Sequence, residues 1–325
     1  MSRRSILILS SLLITLVLIA WIRVIIGTSN STRSPQWGIP SDELILNLRL
    51  SRVWVGVLVG SCLGVAGVLL QSLLRNPLAA PDLMGLSAGA GFAVTLVIFI
   101  TGASLSVGTA SIPALAGALL VLMLVYTLSQ RHGVIDPVTM VLIGVIVSVI
   151  LGAATMLVAS QMPDRGFGTS RWMMGHIRED LAKVHLWSSS AIAALVMIYA
   201  LTKANAYDTG ALSTEEAQSV GLRLKQIRLG QLIGAGVLTT VSIVLAGPIA
   251  FVGLVSPHLV RMLIGPQHKT LLIGSAIVGA SMVVGADVVT RLIQTDAGRI
   301  PIGVLTSLIG GPVFLMLLLK ERATR

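Results

Sequence analysis

An apolar run at residues 53–74 carries glycines at 56, 60 and 64, then stops at Arg75-Asn76-Pro77, with Pro81 and glycines at 85, 89 and 91 close behind. Glycines four apart fall on one helix face. A face without side chains lets a second helix's backbone come close, which is how helices associate in lipid, where expelling water does not drive them together. The prolines and glycines that follow forbid one straight helix. Broken backbone at membrane depth persists only where protein covers it or where it lines a cavity. The stretch therefore predicts a packing face, an interruption and, at Arg49 and Arg52 just ahead, a charged outer mouth. Those are the components of a transport path.

Composition fixes the setting. Only 11% of the 325 residues are charged and 54% are hydrophobic, against about 25% charged in soluble domains. A span takes about 20 apolar residues, so ten spans use about 200 positions and leave short loops. A formal net charge of +10 would point a soluble protein toward nucleic acid; here it reads as membrane orientation. The one cysteine, Cys62, excludes a disulfide or a cysteine metal site within the chain, and its place inside the glycine-faced helix points to packing. The fold class is an all-α integral membrane protein: one domain, residues 1–325, forming a polytopic bundle of about ten transmembrane helices with Pro/Gly-broken segments.

Arg3 and Arg4 precede an apolar run at 6–22 that lacks a small-residue cleavage site, so it reads as a retained first span entering from the cytoplasm. Residues 23–47 form a polar outer loop. The further spans are 53–74, 87–100, 112–128, 137–159, 186–201, 229–246, 251–264, 270–293 and 302–319, with Gly144, Ser148 and Gly152 again four apart in the fifth. With the N-terminus inside, Trp21, Trp37, Trp54, Trp172 and Trp187 fall at or beyond outer helix ends, and Tyr126, Tyr199 and Tyr207 near inner ends. Amphipathic rings favour membrane interfaces, so this segregation supports the topology. The positive-inside bias is weak, because Arg49, Arg52, Arg291 and Arg299 all lie at outer helix ends. Taken singly they are snorkelling anchors; together they form a positive rim suited to an acidic docking surface. Asp287, four residues before Arg291, is placed to pair with it.

The polar interval at 202–228 is the sharpest local signal. Ser213-Thr214-Glu215-Glu216 reads as a capping box, and Gly221 is placed to end that short helix in a left-handed conformation. A capped helix in a cytoplasmic loop, followed by Arg223, Lys225 and Arg228, looks like a docking element. Catalytic readings find little support. The five histidines form no metalloprotease pair, and residues 265–270, GPQHKT, lack the glycines and spacing of a phosphate loop. Asp287 is the main intramembrane acid, and proton relays normally need more than one.

The chain resembles the permease subunits of the ABC importers for ferric siderophores, haem and cobalamin, the type II importers. Arg49-Leu50-Ser51-Arg52 is similar to that family's R-L-P-R. Asn76-Pro77-Leu78-Ala79 with Pro81, Gly85 and Ser87 is similar to its N-P-L-A-x-P-x-x-x-G-x-S, and Trp172 with Gly175 to its W-x-x-G. GPIAFVGLVSPHLVRMLIG at 247–265 and PIGVLTSLIGGPVFLMLLL at 301–319 are close to family text. Glu216, Ala217 and Gly221 match its E-A-A-x-x-x-G pattern. Ser51 replaces the proline of R-L-P-R, and Arg299 stands where the family usually has an acid.

The resemblance implies a permease of about ten helices acting as a dimer with a second permease subunit, either identical or homologous. It implies two separate ATPase subunits docked on the loop around Ser213, Glu215, Glu216, Ala217 and Gly221. An extracytoplasmic solute-binding protein would dock at Arg49, Arg52, Arg291 and Arg299. Asn76, Pro77, Leu78, Pro81 and Gly85 would border the translocation path. The expected function is import of an iron chelate, ferric siderophore ahead of haem or cobalamin, across a bacterial cytoplasmic membrane, with both termini cytoplasmic. No enzyme activity, metal or cofactor is expected on this chain, ATP-Mg being bound by the partner ATPases, and nucleic acid is not an expected partner. An ion-coupled secondary transporter and a membrane enzyme are the rival classes; the first predicts uptake without an ATPase.

Overall fold

The computed structural model describes residues 2–28, 35–102, 107–131, 134–162, 172–177, 183–211, 216, 219, 221–295 and 298–323. Helices α1 (Arg3–Ile25) and α2 (Glu43–Leu74) are joined by the hairpin of β1 (Ile26–Thr28) and β2 (Pro35–Trp37). After α2 comes a 3-10 turn, Pro81–Met84, then α3 (Leu86–Thr101) and α4 (Val107–Leu128). A second hairpin, β3 (Gln130–Arg131) with β4 (Val134–Ile135), leads to α5 (Pro137–Ser160). There follow α6 (Lys183–Thr202), the short α7 (Ala204–Gly210), α8 (Leu224–Ala246), α9 (Val252–Ile264) and α10 (His268–Leu292). The third hairpin, β5 (Gln294–Thr295) with β6 (Gly298–Arg299), precedes α11 (Ile302–Ala323).

Every apolar segment expected to span is a helix in the structure. Among the described residues, seven are long and apolar enough to cross a membrane; Leu86–Thr101, Val252–Ile264 and Ile302–Met316 are shorter apolar helices. At 13 residues, α9 is about 20 Å long, well short of a hydrocarbon core of about 30 Å. It is a partial crossing that follows the break at Gly247. Two boundaries differ from the sequence reading. The first helix continues to Ile25, so Arg23 is helical and buried rather than part of an outer loop. The second begins at Glu43, ten residues early, because Asp42 Oδ1 accepts the Leu44 amide at 2.8 Å and starts the helix there. The interval at 202–228 also holds a helix, α7, that the sequence reading left as loop.

Helices α2 and α8 form the centre. Within their apolar windows 72% of residues are buried by the protein itself, against 11% for α1 and 17% for α5 and α6. The outer helices turn large side chains such as Leu7, Ile112, Val149, Met156 and Leu195 outward, which in a membrane is contact with lipid rather than a defect. The glycine face of α2 explains the centre. A Cβ on Gly60 would overlap the Gly279 carbonyl of α10, one on Gly64 the Ser275 carbonyl, and one on Gly67 the Gly253 carbonyl of α9. Gly56 is looser, its nearest neighbour being the Val284 Cγ2 methyl at 3.1 Å. The second glycine series behaves unevenly: Gly144 packs on the Leu83 carbonyl, whereas a Cβ on Gly152 would meet nothing within 4 Å.

Gly60→Ala should therefore lower the stability of the detergent-solubilised protein by about 1–3 kcal/mol, the usual cost of overpacking. Gly152→Ala should be neutral or stabilising. Thermal unfolding followed by fluorescence size-exclusion separates the two; equal midpoints would remove the close-packing account.

Candidate functional site

The two broken stretches meet in the centre of the molecule. At the first, α2 ends where Arg75 takes up a left-handed backbone (φ 48°), and Asn76 Oδ1 accepts the Leu78 amide at 2.9 Å to shape the turn. Pro81 then opens the 3-10 turn, which Gly85 closes at φ 74°. At the second, Gly247 ends α8 and Phe251, again left-handed (φ 67°), precedes α9. Arg75 and Phe251 are the two non-glycine residues at positive φ among the described residues, and each stands at a break. Such conformations cost of order 1–3 kcal/mol and persist only where the surroundings enforce them. Phe251 is held over Gly310, where a Cβ would come within 2.6 Å of Phe251 Cβ.

Three contacts join the breaks. A Cβ on Gly253 would lie 2.7 Å from Pro81 Cδ and 2.9 Å from the Leu63 carbonyl, so the first turn of α9 rests directly on the proline turn. Gln71, 3% exposed inside α2, reaches both sides: its Nε2 lies 3.4 Å from the Ala79 carbonyl and 3.5 Å from that of Leu254. Its Oε1 accepts from Arg261 Nη2 of α9 at 2.9 Å. The Trp172 stretch closes the second break. The His176 amide donates to the Ala246 carbonyl at 2.7 Å, and side chains on Gly175, Gly247 or Gly303 would run into the Pro248, Trp172 or Met174 carbonyls respectively. Three stretches far apart in sequence thus converge on one glycine-lined junction. Of the residues expected on a path, Pro81 and Gly85 are buried in it, while Asn76, Pro77 and Leu78 lie exposed at its edge.

Asp82 sits within the same connection, outside the spanning helices, with Oδ1 3.5 Å from the Ser87 hydroxyl. Loss of solvation raises its carboxyl to about 6, and the Ser87 hydrogen bond only partly opposes this.

The arginines at the other end of α2 differ from the expected rim. Arg52 and Arg291 are 2% and 7% exposed, and neither presents its side chain to an open surface. Arg52 grips buried Asp287 of α10 through Nε at 3.0 Å to both oxygens and Nη2 at 2.7 Å. Arg23 of α1, 1% exposed, bonds the same carboxylate through Nε. Asp287 therefore reaches across three helices instead of serving only its neighbour Arg291. Arg49 is partly exposed and donates to the Val24, Ile25 and Gly38 carbonyls at 2.7, 3.2 and 3.1 Å, capping α1 and fixing the first hairpin. Gly27 leaves the space for that guanidinium. The side chain of Arg299 lies outside the described residues, as do Ser213, Glu215 and Ala217. Glu216 is exposed, and Gly221 has the expected left-handed conformation at φ 79° with no neighbour within 4 Å of a Cβ.

The model of the FecCD transport family matches residues 4–320. The chain belongs to the FecCD transport family. Its relatives include the hemin transport system permease protein HmuU of Yersinia pestis, 35% identical with 98% of this chain and 97% of that protein covered. The iron(3+)-hydroxamate import system permease protein FhuG of Bacillus subtilis is 33% identical, covering 87% of this chain and 86% of that protein. A solved structure of a metal-chelate type ABC transporter in an inward-facing conformation matches with TM-score 0.84 at 29% identity, covering 97% of this chain and 99% of that one. Family membership and the apolar helices make this chain a membrane permease.

Gln71, Arg23 and Asp82 were missed by sequence reasoning. A lone glutamine in an apolar helix was the available signal for the first, and an arginine at the end of an apolar run for the second.

Removing one partner from a buried charge cluster typically costs about 3–5 kcal/mol. Asp287→Ala, which leaves two arginines buried without their carboxylate, should lower the thermal midpoint and the amount of folded protein accordingly. Arg291→Gln should cost less, and the same unfolding assay reports both. For Asp82 the folded carboxyl binds its proton more tightly than the unfolded one, so its contribution to stability is greatest in acid. Stability should fall as pH rises from about 4 to about 6, and Asp82→Asn should flatten that slope in a pH series of melting curves.

Proposed function

We propose that this chain is the permease subunit of an ABC importer for an iron chelate, working as a dimer with a second permease subunit. Two ATPase subunits on the cytoplasmic side and an extracytoplasmic binding protein complete the assembly. The observation that carries the reading is the match over almost the whole chain to permeases of the FecCD family. Ferric siderophore is the preferred cargo, since relatives serve iron(3+)-hydroxamate and ferric enterobactin systems; haem is the second reading, favoured by the hemin permease.

In this reading the junction of the two breaks borders the path, and both chain termini lie in the cytoplasm. The loop at 202–228 receives the ATPase. The binding protein docks at the α1–α2 hairpin end, where Arg49 supplies a partly exposed positive charge. Arg52 and Arg291 act there from beneath, by fixing the helix ends that form the surface. Arg52→Glu would break its bond to Asp287 and Arg49→Glu the hydrogen bonds to Val24, Ile25 and Gly38, so each reversal is read for docking only beside a thermal midpoint that shows the hairpin end intact.

Purified permease reconstituted in vesicles with its ATPase and binding protein should accumulate ferric siderophore in an ATP-dependent manner. Accumulation without the ATPase would identify a secondary transporter, and exclusive uptake of hemin or cobalamin would reassign the cargo. Gly221→Val places a β-branched residue at positive φ. It should leave the permease in the membrane and the ATPase bound while lowering transport per ATP hydrolysed at least ten-fold, a drop that transport and phosphate release measured together would register.

A further inference from the structure

We propose that Gln71 is a positioning residue for transport: its amide is a catch that ties α9 to the first broken segment and so sets how readily the path changes state. The inference rests on the reading of the junction as the border of the path.

Gly56, Gly60, Gly64, Gly67 and Gln71 recur at spacings of four, four, three and four along α2, so they share one helix face. Three of these glycines press on backbone: Gly60 on Gly279 and Gly64 on Ser275 of α10, and Gly67 on Gly253 of α9. A seam of this kind is close but smooth, and helices packed along it shift by small sliding steps. Side chains fix its register. Toward α10, Ser61 Oγ donates to the Ala276 carbonyl at 3.1 Å and Arg52 holds Asp287. Toward α9, Gln71 supplies the bonds, at the point where the glycine face first acquires a side chain and three residues before α2 ends at Leu74.

Those bonds are unequal. Oε1 accepts from Arg261 Nη2 at 2.9 Å, a firm bond with a charged donor. Nε2 lies 3.4 Å from the Ala79 carbonyl and 3.5 Å from that of Leu254, at the long limit for a hydrogen bond. When α9 and the broken segment part, the Ala79 contact therefore yields before the Arg261 bond does. Packing alone does not account for a glutamine here. A buried amide is costly unless its bonds are made, and a methionine of similar length would fill the same space without that cost.

The test uses full-length permease carrying Leu78→Cys, at the exposed edge of the junction, in a Cys62→Ala background with its ATPase and binding protein. Maleimide labelling in nanodiscs reports access to residue 78 with and without a non-hydrolysable ATP analogue; transport per ATP hydrolysed is measured in vesicles. In this parent the two labelling rates should differ. Gln71→Met, which removes the amide, should move their ratio toward one and lower transport per ATP, each by about five-fold, the usual weight of one hydrogen bond. Gln71→Glu keeps an acceptor for Arg261 but loses the donor, so it should behave like Gln71→Met; it is also the second variant should Gln71→Met fail to accumulate. Leu73→Met, a change of similar size at a buried position on the same helix, should have no effect. Uniform labelling in the parent would overturn the path reading and this inference with it. State-dependent labelling that survives in Gln71→Met, whatever its thermal midpoint, would overturn this inference alone, as would an equal loss in Leu73→Met. Parent behaviour in Gln71→Glu would overturn the tie to the broken segment.

Discussion

A peptide group that leaves a helix inside a bilayer has no water to turn to, and each unsatisfied group costs several kcal/mol. The architecture answers that constraint at two places. Both breaks are wrapped by protein: the turn at Pro81–Met84 lies under α9, and Gly247 lies under the Trp172 stretch with the start of α11 against Pro248. Gln71 then offers its amide toward carbonyls from each side. The small residues make such cover possible, because glycine lets carbonyls approach where a methyl group would collide. The centre of this protein is thus rich in backbone-to-backbone contact, and its two left-handed non-glycine residues among the described residues stand at the two breaks.

Such a centre has two ends with different electrostatics. At the hairpin end one carboxylate, Asp287, gathers guanidinium groups from α1 and α2 and secures three helices. Buried pairs of this kind are weak as sources of net stability, yet costly to disturb once formed. They therefore fix geometry more than they add strength. At the opposite end Asp208 plays a smaller version of the part, holding α7 against the start of α10. Positive charge is in excess at both ends: at the hairpin end Arg52 packs against Asp287 and Arg49 against carbonyls, and at the other Arg75 donates to the Gly210 carbonyl.

The helices were legible in the sequence because apolar length and proline or glycine punctuation are local properties. Gly60 and Gly64 were legible for the same reason, since a period of four defines a face. The limits of that logic show at Gly152, which obeys the period and touches nothing: periodicity says where a face is, not what lies opposite. Asp287 shows the same limit in charge. Its nearest cation along the chain is Arg291, whereas two of its partners come from residues 264 and 235 positions away. The junction motifs at Trp172, Gly247 and Pro301 were visible as separate stretches. Their convergence depends on tertiary packing that no single window contains.

The length of α2 carries a mechanical consequence. Its 32 residues make a rod of about 48 Å, against a hydrocarbon slab of about 30 Å, so it leans within the bilayer or projects from it. Arg52 and Gln71 lie on this one uninterrupted rod, about 28 Å apart. An α-helix resists bending far better than loops or side-chain contacts do, so a push that changes its lean at the hairpin end arrives at the broken segments as the same rotation. The molecule possesses a lever whose handle is the arginine cluster and whose short arm rests on the glutamine.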